Sequence, residues 1–175
     1  MEKTDRNKIK PNVKSQKCFL IYVGQLDMDY TLASRRDYSL KREPQIGFAY
    51  LSAILRQHGV EPEILDFTFT PYTEKMLADY VKKERPIFVG FYAAAALKNR
   101  LIKYLNFLRQ KFPDLKILIG GPDMYDCESY LKAGADAYCI GEGERTIVDL
   151  LVFCRGETDR SEVKGIAYRN DNGDI

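Results

Sequence analysis

One histidine, His58, serves the whole 175-residue chain. It stands beside Gly59, where the first helix is expected to end, at the opposite end of that helix from a ligand crevice. A capping side chain is its expected role, and no nucleophile, base and acid set can be assembled around it. The chain alone is a poor candidate for hydrolytic or acid–base catalysis. Charge of one sign is missing too. Lys plus Arg number 27 against 25 Asp plus Glu, and a net charge of +2 gives no long-range field for a polyanion, so nucleic acid is not an expected partner. No run approaches the roughly 20 apolar residues that cross a bilayer. The expectation is a soluble, cytoplasmic protein with no membrane partner. The four cysteines, Cys18, Cys127, Cys139 and Cys154, are too scattered for a metal knuckle or a disulfide framework, and Cys139 and Cys154 read as core thiols. The opening residues 1–17 are polar and basic with no apolar stretch behind the charges, unlike a signal sequence, and read as a flexible lead-in.

What is present is a hydrophobic fraction of 45%, enough for one sizeable core. Short β-branched or aromatic runs alternate with longer segments of helical period, the pattern of a parallel sheet with helices on both faces. Five strands are expected, at Cys18–Val23, Glu63–Asp66, Ile87–Tyr92, Lys116–Ile119 and Ala137–Ile140. The first helix should run from Ile46 to His58. The second should open at Thr70-Pro71 as cap and first-turn residue, with Leu77, Tyr80 and Val81 as its apolar stripe. Leu97, Leu101, Tyr104, Leu105, Leu108 and Phe112 mark the third, Glu128 to Ala133 a short fourth, and Ile147, Leu150, Leu151 and Cys154 a fifth that Gly156 ends. Val163–Arg169 with Asn172-Gly173 reads as one arm and the turn of a β-hairpin whose second arm is missing. The α/β domain is thus placed at 18–160, and 161–175 reads as the start of a linker towards a further domain.

Sheets of this class bind ligands outside the carboxyl ends of their strands. After the first strand come Gly24-Gln25 and a polar stretch to Glu43, long enough for a lid or for a disordered excursion. After the third, Tyr92-Ala93-Ala94 offers small side chains that admit a broad flat ligand, although alanine also simply starts helices. After the fourth, Gly120-Gly121-Pro122 keeps bulk out of the crevice. After the fifth, Gly141-Glu142-Gly143-Glu144 places carboxylates at a helix start, favourable for the helix dipole and unfavourable for a phosphate. GxGxxG and GxxxxGK[ST] fingerprints are missing, as is the aspartate that would end the third strand of a receiver domain. The loop after the first strand also lacks the hydroxyl-rich, glycine-rich character that would hold a flavin phosphate.

In combination, Pro44-Gln45-Ile46-Gly47-Phe48-Ala49-Tyr50-Leu51, Ile64-Leu65-Asp66, Val89-Gly90-Phe91, Ile119-Gly120-Gly121-Pro122 and Gly141-Glu142-Gly143-Glu144 form a recognisable series. The series resembles the N-terminal cobalamin-binding domain of radical SAM enzymes. The resemblance implies a flavodoxin-like α/β fold, a doubly wound five-stranded parallel sheet of order 2-1-3-4-5 with a partial C-terminal hairpin. Its loops would cradle the corrin and nucleotide tail of cobalamin through Gly24, Gln25, Tyr92, Ala93, Ala94, Gly120, Gly121, Pro122, Gly141, Glu142, Gly143 and Glu144. It also implies a methyltransferase in which a methyl group passes from S-adenosylmethionine to cobalt and then to a substrate radical. Neither an Asp-x-His-x-x-Gly motif nor a CxxxCxxC cluster motif occurs in the sequence. No histidine would then ligate cobalt, and the S-adenosylmethionine site and 4Fe-4S cluster would belong to a downstream radical SAM domain that is this domain's partner. Many relatives carry Ser or Thr where this chain has its alanine run. That difference prompts the alternative of a non-catalytic, flavodoxin-like positioning domain that has lost cobalamin. A free-standing protein for another small molecule is a third reading.

Overall fold

The computed structural model describes residues 16–24, 45–68, 70, 72–170 and 172–175. Strands and helices alternate as β1 (Gln16–Tyr22), α1 (Ile46–Gln57), β2 (Val60–Asp66), α2 (Glu74–Glu84), β3 (Val89–Tyr92), α3 (Lys98–Lys111), β4 (Ile117–Gly120), α4 (Cys127–Lys132), β5 (Ala137–Cys139), α5 (Gly143–Cys154) and β6 (Ile166–Ala167). Together the strands form one sheet of order β2-β1-β3-β4-β5-β6. The first five are parallel, and β6 runs antiparallel to β5 through Tyr138↔Ala167 and Cys139↔Ile166. The expected doubly wound fold is therefore present, with a sixth strand added. Residues 166–167, expected as an unpaired hairpin arm, instead cover the edge of β5, where unpaired backbone groups would otherwise face solvent.

Strand alternation sends side chains into two separate layers. Phe19, Ile21, Val89, Phe91, Ile117, Ile119 and Tyr138 pack with Leu77 and Val81 of α2, Leu101 and Leu105 of α3, and Tyr130 and Leu131 of α4. On the other face, Cys18, Leu20, Phe88, Leu118, Ala137 and Cys139 meet Phe48 and Leu55 of α1 and Ile147, Leu150 and Leu151 of α5.

Helix starts differ from expectation in two places. The side chain of Thr73, not Thr70, caps α2, with its hydroxyl accepting from Met76 N–H at 3.2 Å, while Thr70 N–H donates to the Asp66 carbonyl. Pro71 lies outside the described residues. The alanine run does not simply open α3, because Ala94 is extended and Ala95–Leu97 form a 3₁₀ turn before Lys98. Glycines follow α1 and α5 as expected. His58 takes the C-cap of α1 through its backbone N–H, 3.0 Å from the Leu55 carbonyl. No helix among the described residues is long and apolar enough to cross a membrane. Cys18, Cys139 and Cys154 are buried, and burial pushes the Cys18 thiol up to about 12.

Candidate functional site

Glycines in the middle of a sheet leave a hollow wherever a side chain would have filled the layer above. Two occur here on the α1/α5 face. Gly90 of β3 lies in register between Leu20 of β1 and Leu118 of β4, and Gly120 of β4 is opposite Tyr92. Gly47, Phe48 and Leu51 of α1, with Gly143, Ile147 and Leu150 of α5, roof a cavity of about 220 Å³ over them. A Cβ built on Gly90 would meet Leu20 Cδ2 at 3.3 Å, and one on Gly120 would meet Cys139 Cβ at 3.8 Å. Side chains at these positions would therefore occupy the cavity. Tyr92 sets one wall, its ring 6.4 Å from and perpendicular to Phe48 and 5.6 Å from Tyr22.

The loops after β3 and β4 are fixed against each other beside this cavity. Ala93 N–H donates to the Gly120 carbonyl at 2.7 Å, and Gly121 adopts φ 131°, where a Cβ would lie 2.3 Å from the Ala93 carbonyl oxygen. From below, Tyr138 Oη donates to the Gly121 carbonyl at 2.9 Å and Tyr130 Oη to Asp123 Oδ2 at 2.5 Å, the two rings stacking at 6.0 Å. Burial raises the pKa of both phenols, so each keeps the proton it donates. A salt bridge from Lys98 to Asp126 joins the same two loops, and Ser129 Oγ donates to Asp126 at 2.6 Å. Both contacts hold the Asp126 carboxyl below the usual carboxylate range.

Of the sequence-predicted site residues, Tyr92, Gly120, Gly121, Gly141, Glu142, Gly143 and Glu144 line the cavity. Ala93 is fully buried in the opposite layer and Ala94 packs against it. Gly24 abuts Thr68, whose backbone nitrogen would be 2.9 Å from a Cβ there, and its carbonyl accepts from Arg100 Nη1 at 3.3 Å. Pro122 is exposed beside the lining, and Gln25 lies outside the described residues. Sequence reasoning missed Gly90, Leu20, Phe48, Leu51, Cys139 and Ile147. The available signal for Gly90 was a glycine inside the apolar run of a strand. Among the described residues, no group of three or more His, Cys, Asp or Glu side chains is gathered to hold a metal.

Glu142 is the N-cap of α5 and Gln45 that of α1, and neither caps with its own side chain. Both helix starts and an apolar, glycine-floored cavity thus converge where the parallel strands end. Residues 39–151 match the family described as the B12 binding domain. The chain belongs to that family. Within 133 residues this B12 binding domain is 26% identical to the anaerobic magnesium-protoporphyrin IX monomethyl ester cyclase of Synechocystis sp., which covers 73% of this chain and 27% of the cyclase. An uncharacterized protein of Methanocaldococcus jannaschii is 32% identical over 124 residues, 71% of this chain and 22% of that protein. Among solved structures, the radical S-adenosylmethionine methyltransferase TsrM from Kitasatospora setae, with cobalamin and a 4Fe-4S cluster bound, superposes with a TM-score of 0.72 at 16% identity, over 91% of this chain and 30% of TsrM. The cobalamin-dependent S-adenosylmethionine radical enzyme OxsB with aqua-cobalamin gives 0.72 at 20% identity, over 92% and 22%. The chain therefore spans less than a third of the length of each of these relatives.

Proposed function

We propose that this B12 binding domain holds cobalamin for a radical SAM methyltransferase whose iron–sulfur barrel and S-adenosylmethionine site lie outside this chain. The observation that carries the reading is the glycine-opened cavity at the carboxyl ends of the strands, in a chain of this family. The residues present fit the cofactor. Gly90 and Gly120 with the α1/α5 roof would hold the nucleotide base, and the loops around Gly121 and Gly141 would hold the corrin. Glu142 and Glu144 stand at that edge, where their carboxylates would accept hydrogen bonds from the carboxamide side chains of a corrin. When bound, cobalamin supplies a cobalt centre for methyl transfer. The chain's single histidine stands at the amino edge of the sheet, beside Val60 where β2 begins, away from the residues that would hold the cofactor.

Hydroxocobalamin added to the purified chain should survive desalting, with its visible absorption retained at one equivalent. A colourless protein overturns the reading in favour of a positioning domain with no corrinoid. The cyclase relative marks the competing reaction class. The full-length gene product should release a methylated product from S-adenosylmethionine; ring closure without methyl transfer would move the protein to that second class.

A further inference from the structure

Two tyrosines stand in the core layer on the side of the sheet opposite the cavity. Tyr130 of α4 and Tyr138 of β5 are fully buried, and their rings stack with centroids 6.0 Å apart. A buried phenol needs an acceptor for its hydroxyl, and both find it in the one loop after β4. Tyr138 Oη donates to the Gly121 carbonyl at 2.9 Å, and Tyr130 Oη donates to Asp123 Oδ2 at 2.5 Å. Of these two acceptors, Gly121 lines the cavity and Asp123 does not.

The residues of the loop make the first of these bonds the decisive one. Gly121, at φ 131°, has no Cβ to restrain the peptide that follows it. That peptide joins Gly121 to Pro122, so it has no N–H, and its carbonyl is the single group by which hydrogen bonding can fix its plane. Tyr138 takes that carbonyl from the opposite layer and so turns it away from the cavity. We propose that Tyr138 is a positioning residue for the cofactor, its hydroxyl setting the orientation of the Gly121–Pro122 peptide from the face of the sheet that the cofactor does not touch. The inference rests on the cobalamin reading above, in which the loop at Gly121 would hold the corrin. In Tyr138→Phe the Gly121 carbonyl loses its donor while still buried, and it should regain one by turning out of the core, towards the side that the cavity occupies.

Titration of the whole chain with hydroxocobalamin, followed by visible absorption, tests the inference on the native protein, Tyr138→Phe and Tyr80→Phe. The Tyr80 hydroxyl makes a comparable bond to Glu63 Oε1 at 2.7 Å, between α2 and the edge strand β2, and neither residue lines the cavity. Each substitution removes one oxygen and keeps the ring, and urea midpoints report the stability each one loses. Tyr138→Phe should raise the Kd for hydroxocobalamin about 10-fold, whereas Tyr80→Phe should leave it within about twofold. A merely structural hydroxyl predicts that neither variant alters the Kd, or that both weaken binding in step with their urea midpoints. Either of those results overturns the assignment while leaving the cobalamin reading intact. If the native chain itself binds no hydroxocobalamin, that reading falls and the inference with it.

Discussion

Gly120 and Gly121 are neighbours with different duties. Gly120 faces the cavity and has room for a Cβ, whereas Gly121 holds two loops together at a distance no side chain allows. Gly121→Ala should therefore destabilise the fold by about 2–4 kcal/mol, combining a positive φ with a backbone clash, as read from the urea midpoint at unchanged slope. Tyr138→Phe removes only the hydroxyl that meets the Gly121 carbonyl and should cost about 1 kcal/mol in the same measurement. The sequence showed the glycine pair but not this division, because it depends on the Ala93 carbonyl, nearly thirty residues away. Gly90 was overlooked for the same reason. A lone glycine in an apolar run carries no mark of the face it occupies, and only its register between Leu20 and Leu118 makes it the floor of a site.

Among the elements, periodicity located every strand and helix described, yet their ends followed local hydrogen bonding that composition could not resolve. Thr70-Pro71 has the composition of a helix start, but Thr73 is three residues before an amide that its hydroxyl reaches. Thr73→Ala should lower stability by about 1 kcal/mol, whereas Thr70→Ala should change it by less than about 0.5 kcal/mol, in paired chemical denaturation. The link between the loops after β3 and β4 carries a pH signature. With Lys98 and Ser129 holding the Asp126 carboxyl below its ordinary value, the folded state releases that proton more readily than the unfolded state does. The stabilisation is fully present above the ordinary carboxylate range and is lost as pH falls through the lowered value. Asp126→Asn should accordingly show a shallower loss of stability on acidification below about pH 4, the reference carboxylate value. A parallel shift of the whole profile would place the contribution elsewhere.

Across the whole molecule, the two faces of the sheet are built to different degrees of completion. The layer under α2, α3 and α4 is a continuous core around Phe19, Phe91, Leu105 and Tyr138. The layer under α1 and α5 has a cavity of about 220 Å³ near their first turns, so those turns lack part of the apolar contact that would hold them. The alternation of strands and helices revealed both layers in the sequence, but not their inequality, which arises only when Gly90 and Gly120 line one cavity with Gly47 of α1 and Gly143 of α5. Filling the hollow with a cofactor base should therefore tighten one face selectively. In hydrogen exchange, amides in the first turns of α1 and α5 should exchange faster than those of α3 in the free protein, through local opening. Saturating cobalamin should slow them by the factor that its affinity sets, 1 + [L]/Kd at each local opening that releases the ligand. The amides of α2 and α3 should change only through global unfolding. Uniform protection on both faces would mean that the cofactor stabilises the sheet as a unit, and protection confined to the loops after β4 and β5 would mean that the base stays outside the roof formed by α1 and α5.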